Sequence, residues 1–181
     1  MIAVYPGSFD PITCGHFDII ERSAAMFSEV IVLVAVNSAK NCAFSADERA
    51  EMIRAAVRSA GIGNVRVDTF SDGLLVDYVE RAGAHVIIKG LRAVSDFEYE
   101  FQMALLNRHL RPKIETIFMM TRAEFSFLSS SIVREIARLG GDITGLVPSA
   151  VSQMVLGTLY PAGAVPAKIS PASAGVGETL P

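Results

Sequence analysis

Cysteine is scarce in this chain. Its two cysteines, Cys14 and Cys42, form neither a CxxC pair nor a metal-ligand spacing. That excludes a disulfide framework and a cysteine-held metal centre, and leaves two reduced thiols. Long hydrophobic runs are missing too. The longest, Val30 to Val36, stops between Glu29 and Asn37, far short of the roughly 20 residues a membrane span requires, so it reads as a buried strand and no membrane partner is expected. Neither a basic leader nor a long apolar stretch opens the chain, and the expected compartment is the cytoplasm. Positive charge is not in excess: 16 Lys and Arg stand against 19 Asp and Glu, a net charge of −3. The basic residues are scattered, so the broad field that nonspecific nucleic-acid binding needs is absent, and no nucleic acid is expected as partner.

What is present is apolar and periodic. About half of the 181 residues are hydrophobic (51%), enough for one domain with a sizeable core. Strand-like runs near 2–5, 30–36, 65–69, 85–88 and 115–120 alternate with helical periodicity near 15–27, 46–60, 73–83, 96–109, 129–139 and 148–159. Ser45-Ala46-Asp47-Glu48 has the form of a capping box. The pattern predicts an α/β domain over residues 1–160: a Rossmann-like, open, parallel five-stranded sheet with helices on both faces, binding its ligand beyond the strand carboxyl ends. Residues 161–181 turn to Pro, Ala, Gly and Ser, and are expected to form a disordered tail.

Polar motifs fall after the strand ends. Tyr5-Pro6-Gly7-Ser8-Phe9-Asp10-Pro11-Ile12-Thr13-Cys14-Gly15-His16 joins the first strand to a helix start, where unpaired N–H groups and the positive end of the helix dipole favour a phosphate. Its Thr13-x-Gly15-His16 core resembles the (H/T)-x-G-H signature of the nucleotidyltransferase superfamily. After Val86-Ile87-Ile88 come Lys89-Gly90-Leu91-Arg92, two cations around a glycine that suit separate phosphate groups. On the next helix Phe97, Phe101, Ala104 and Leu105 share a face and read as core, while Glu100 could accept from an adenosine hydroxyl or pair with a nearby cation. Ser126-Phe127-Leu128-Ser129-Ser130-Ser131 precedes a further helical run, an ordinary N-cap signal that can also grip a triphosphate. Lys40 lies in the loop after the second strand, and His85 and His109 read as packing or surface residues.

Together these motifs, with Asp96-Phe97-Glu98-Tyr99-Glu100, closely resemble the bacterial phosphopantetheine adenylyltransferase family over roughly residues 1–160. The resemblance implies transfer of an adenylyl group from Mg-ATP to 4′-phosphopantetheine, giving dephospho-coenzyme A and pyrophosphate. It implies that His16 stabilises the transition state, and that Ser8 and Phe9 contact ATP, with Ser8 also near the acceptor phosphate. Gly90, Leu91, Arg92, Glu100, Phe125, Ser126, Phe127, Leu128, Ser129, Ser130 and Ser131 would complete the ATP site, while Lys40, Leu75 and Lys89 would bind phosphopantetheine. Mg²⁺ is expected on the ATP phosphates and water, since no carboxylate cluster offers a protein-held metal site. Coenzyme A as inhibitor and a homohexamer are further family expectations. Lys89 stands where many relatives have Arg, Asn41-Cys42 replaces a Lys-Pro pair, and the tail exceeds the usual family length. Two other readings are a cytidylyl- or nicotinate-nucleotide-type transferase sharing the Gly-His loop, and a nonenzymatic nucleotide- or coenzyme A-binding protein.

Overall fold

A computed structural model describes residues 1–36, 41–92 and 94–160. Lys40 and the expected tail, 161–181, lie outside the described residues. Five strands, β1 (Ile2–Gly7), β2 (Glu29–Ala35), β3 (Val65–Phe70), β4 (Val86–Leu91) and β5 (Glu115–Met120), form one parallel sheet in the order β3-β2-β1-β4-β5. The helices are α1 (Cys14–Met26), α2 (Ala46–Ser59), α3 (Leu75–Arg81), α4 (Val94–Leu110), α5 (Ser130–Arg138) and α6 (Ser152–Leu159).

Side chains of a strand alternate between faces, and the core divides accordingly. Ala3, Tyr5, Val30, Val32, Val34, Val86 and Ile88 face one cluster, which holds Ile19 and Ile20 of α1, Met52 and Ile53 of α2, Val133 of α5 and Val155 of α6. Val4, Ile31, Leu33 and Ile87 face the other, closed by Val76 and Val79 of α3. Both faces of β2 are buried, which is why its sequence is uniformly apolar rather than alternating. Ser45 and Glu48 form the expected reciprocal cap of α2, with Glu48 N–H to Ser45 Oγ at 3.3 Å and Ser45 N–H to Glu48 Oε2 at 2.7 Å.

Two expectations are corrected. The strand expected near 85–88 runs on through Lys89-Gly90-Leu91, the second half of β4, paired in register with Phe118, Met119 and Met120; backbone pairing with β5 continues past the apolar run. The α4 face carrying Phe97, Phe101 and Leu105 is not core: these side chains are 42%, 45% and 53% exposed, as are Leu106 and Leu110 at 54% and 42%. Phe97 still meets Phe118 of β5 at 5.5 Å between ring centroids, so α4 packs on the α3 side of the sheet by one edge.

The strand ladder creates the site. β1 pairs with β2 along its whole length, from Ile2↔Glu29 to Gly7↔Val34, but with β4 only at Ala3↔Val86 and Val4↔Ile87. Beyond Val4 and Ile87 the two strands part. Here the helix after β1 lies on one face and the helix after β4 on the other, the position at which a doubly wound sheet opens a crevice. The far end of the domain returns to this point, where Cys14 N–H, the first amide of α1, donates to Leu146 O at 2.9 Å.

Candidate active site

A cavity of about 490 Å³ occupies the crevice, walled by Tyr5 to Phe9 from β1 and its loop, Thr13, Gly15 and His16 from the start of α1, Lys89, Gly90 and Arg92 from β4, Tyr99 and Glu100 from α4, Thr121, and Leu128 to Ser131 at the start of α5. Two glycines sit in close contact. A Cβ on Gly7 would lie 2.8 Å from Cζ of Phe9, and one on Gly90 would lie 3.2 Å from the Tyr5 hydroxyl and 3.3 Å from Ile19. Phe9 itself holds φ +48°, in the left-handed region, which turns its ring inward. There it meets Tyr5 and His16 edge-on at centroid distances of 5.3 and 5.1 Å.

His16 is fixed by the helix cap. Thr13 is the N-cap of α1, and His16 occupies the position at which a Glu or Gln normally reaches back. Thr13 N–H donates to His16 Nδ1 at 3.1 Å, and His16 N–H donates to Thr13 Oγ1 at 3.3 Å. An amide nitrogen can only donate, so Nδ1 carries no proton and the network assigns the neutral ring's proton to Nε2. Burial first, and the Arg92 charge second, lower the His16 pKa to about 4. At neutral pH the cavity is therefore offered an uncharged imidazole whose Nε2–H is a donor. The Tyr5 hydroxyl also stays protonated: burial, then the Asp18 charge, raise its pKa well above the usual phenol range.

This lowered pKa carries an expected result. Unfolded His16 binds a proton below its ordinary value of 6.5, whereas folded His16 does so only near 4. The unfolded state therefore takes up more protons in that window, and stability falls as pH drops through it. Above 6.5 the contribution is complete. NMR titration of the ligand-free protein should place the His16 midpoint well below the ordinary value of 6.5. A midpoint near 6.5 would refute the buried neutral ring.

The helix starts differ from expectation. At α1, Cys14 N–H is taken by Leu146 O, His16 N–H by Thr13 Oγ1 and Phe17 N–H by Thr13 O, which leaves Gly15 as the first-turn amide without an acceptor among the described residues. At α5, Ser129 Oγ caps Ile132 N–H at 3.2 Å and Ser129 O takes Val133 N–H, so the amides of Ser130 and Ser131 remain to meet an anion on the cavity wall. Two serine hydroxyl protons are spent within the protein, Ser126 donating to Ala123 O and Ser130 to Pro11 O, while Ser131 accepts from Arg134 and keeps its own O–H to donate. Arg92 Nη1 donates to Leu128 O at 3.2 Å. Lys89 Nζ lies 3.1 Å from Glu100 Oε2, so of the two readings of Glu100 the structure shows the ion pair. The crevice gathers Lys89, Arg92, the Ser130 and Ser131 amides and one neutral imidazole donor, a set suited to an anion. Among the described residues no group of three or more His, Cys, Asp or Glu converges on a metal position.

Comparison with known proteins agrees with this geometry. The cytidylyltransferase-like family model matches residues 4–136. The fold is shared with a putative nicotinate-nucleotide adenylyltransferase from Vibrio parahaemolyticus, at TM-score 0.67 and 17% identity, over 88% of this chain and 97% of that one. Far nearer in sequence is the phosphopantetheine adenylyltransferase of Heliobacterium modesticaldum, 59% identical over 150 residues, which are 83% of this chain and 88% of that protein. That of Geobacter metallireducens is 59% identical over 152 residues, covering 84% and 91%. The chain belongs to the phosphopantetheine adenylyltransferase family.

Of the residues the family resemblance singles out in this adenylyltransferase, Ser8, Phe9, His16, Lys89, Gly90, Arg92, Glu100, Leu128, Ser129, Ser130 and Ser131 share the cavity wall. Others stand apart from it. Leu91 is buried at the end of β4, its carbonyl accepting from Thr121 N–H and Oγ1. Phe125 packs beneath Gly15, and Ser126 and Phe127 are on the outer side of the same turn, Phe127 being 64% exposed. Leu75 packs against the α3 core cluster, and Lys40 is outside the described residues. Sequence reasoning assigned no role to Tyr5, Thr13, Tyr99 or Thr121. Thr13 was findable: a threonine three positions before His16 has the spacing of a capping box.

Proposed function

We infer that this enzyme transfers the adenylyl group of ATP to the phosphate of 4′-phosphopantetheine, giving dephospho-coenzyme A and pyrophosphate. The observation that carries the reading is the neutral His16, held by Thr13 with its Nε2–H left to an anion-binding crevice. An acceptor phosphate oxygen forms the new bond to the α-phosphorus, the bond to the pyrophosphate bridging oxygen breaks, and pyrophosphate leaves. The nucleophile is already ionised at neutral pH, so no general base is needed; alignment and charge stabilisation supply the rate. His16 Nε2–H donates to an α-phosphate oxygen as charge grows there. The Ser130 and Ser131 amides and Arg92 suit the polyphosphate, while Ser8, Phe9, Gly90, Leu91, Glu100 and the turn 125–131 frame ATP. Lys89, with Lys40 and Leu75, serves the acceptor.

ATP enters as its magnesium complex, the cation riding on phosphate and water oxygens, in keeping with a wall of cations and amides. Coenzyme A, which contains the product, would compete for the crevice as inhibitor. The exposed apolar face of α4 supports assembly with further copies, for which a homohexamer is the family expectation. Among the described residues no helix is long and apolar enough to cross a membrane, and the cytoplasm is the compartment we assign. The reaction is placed wholly within residues 1–160, with 161–181 as a dispensable tail. Relatives near 59% identity that share one name weigh against the cytidylyl, nicotinate-nucleotide and nonenzymatic alternatives. The test is pyrophosphate release from ATP with phosphopantetheine, nicotinate mononucleotide or no acceptor. Release is expected with phosphopantetheine alone, and equal release without acceptor would sink the reading.

A further inference from the structure

We propose that Asp10, together with Arg134, is a positioning residue that fixes the start of α5 against the loop that carries His16. This rests on the adenylyl-transfer reading and adds to it a residue that touches neither substrate.

Asp10 is buried, its side chain 6% exposed, in the loop between β1 and α1. Its carboxylate joins three segments. Oδ1 accepts Phe44 N–H at 2.9 Å and Oδ2 accepts Ala43 N–H at 3.0 Å, which secures the chain returning from the loop after β2. Oδ2 also receives Arg134 Nη1 of α5 at 3.0 Å, and the same nitrogen donates to the Asp10 carbonyl. Arg134 then reaches the start of its own helix, donating from Nη2 to Ser131 Oγ at 3.3 Å, while Ser130 Oγ donates to Pro11 O at 2.7 Å. The two α5 residues whose amides face the cavity are thus tied to the loop that ends at Thr13 and His16. Across the same loop, Arg49 donates to Ser8 O at 2.7 Å and to Phe44 O at 3.1 Å.

No single segment would register the loss of Asp10 as a missing substrate contact. Each segment keeps its own groups: the amides of Ser130 and Ser131 stay on α5 and His16 stays on α1. What the carboxylate sets is the distance between the α5 amides and the imidazole. An in-line transfer is sensitive to that distance, since a misplacement of about 1 Å costs about 100-fold in rate. The charged hydrogen bonds it makes are the strong, directional kind suited to holding a distance.

The experiment is steady-state kinetics on Asp10→Asn, Arg134→Met and the double variant, with ATP and phosphopantetheine each varied. Measurements are made well below each melting midpoint, with the folded fraction checked by circular dichroism. The expected result is a fall in kcat of about tenfold or more in each single variant, KM for both substrates within about threefold, and a double variant no worse than the poorer single, since the pair acts as one unit. A kcat within twofold of the parent, a rise in one KM at unchanged kcat, or additive losses would overturn the proposal. If Asp10→Asn does not fold, Arg134→Met decides alone by the same kcat criterion. A parent enzyme that makes no dephospho-coenzyme A would instead defeat the reaction assignment, an outcome separate from either variant.

Discussion

Replacing His16 with alanine is expected to lower turnover at saturating substrates by about two orders of magnitude or more, the loss typical of a transition-state hydrogen-bond donor. ATP affinity should change much less, because the Ser130 and Ser131 amides and Arg92 remain to hold the phosphates. The imidazole is prepared for this single task. Its Nδ1 is taken by Thr13 N–H, its proton sits on Nε2, and its pKa, lowered to about 4, keeps it neutral at working pH. Alanine also removes one half of the cap on α1, so part of any loss could be a frayed helix. His16→Gln separates the two effects, since an amide oxygen can still reach back to Thr13 N–H. If the glutamine variant folds with parental stability and retains near-normal turnover, His16 is a cap and not a catalytic residue.

Lys89→Met is expected to cost about 100-fold in kcat/KM for phosphopantetheine, with ATP affinity altered far less. The variant removes the cation that, on the proposed reading, meets the acceptor phosphate. It also leaves Glu100, now 3.1 Å from the lysine, as an unopposed carboxylate on the wall that the phosphate approaches. Both side chains are partly buried, 21% and 24% exposed, so solvent screens the orphaned carboxylate only in part. Lys89→Met combined with Glu100→Gln should therefore recover part of the acceptor term, and Lys89→Arg should remain within a few-fold of the parent. Titrations with each substrate decide the matter. Strong loss of ATP binding with unchanged phosphopantetheine affinity would reverse the assignment.

Much of the fold was legible because hydrophobic periodicity reports burial directly. Val30 to Leu33 could only be a strand buried on both faces, and Ser45 to Glu48 marked the start of α2. Strand ends were less legible, since pairing, not hydropathy, decides where β4 stops. Its ladder to β5 carries Lys89 and Gly90 into the sheet. The α4 face was misread because an apolar stripe reports that a surface avoids water and not which molecule covers it. In the site, His16, Lys89 and Arg92 were visible as polar residues following apolar runs, with Gly90 between the two cations. Asp10, Asp18 and Arg49 were not, because charged residues read as solvated until the fold shows them 4%, 3% and 2% exposed. Nor could local sequence show that the serine hydroxyls bond within the protein, or that the first amide of α1 is satisfied from Leu146.

That last contact also bears on the order in which the molecule is made. Translation delivers β1, the Gly-His loop and α1 first, yet the amide of Cys14, two residues before His16, waits for a carbonyl from near the end of the domain. The earliest part of the site to leave the ribosome is therefore among the last to be finished. A nonsense product ending at Gly145 would contain every residue of the cavity wall in its sequence and still lack the acceptor that seats the start of α1, along with Val151 and Val155 of the core. Completion of the chain, more than possession of the catalytic residues, separates a working copy from a fragment.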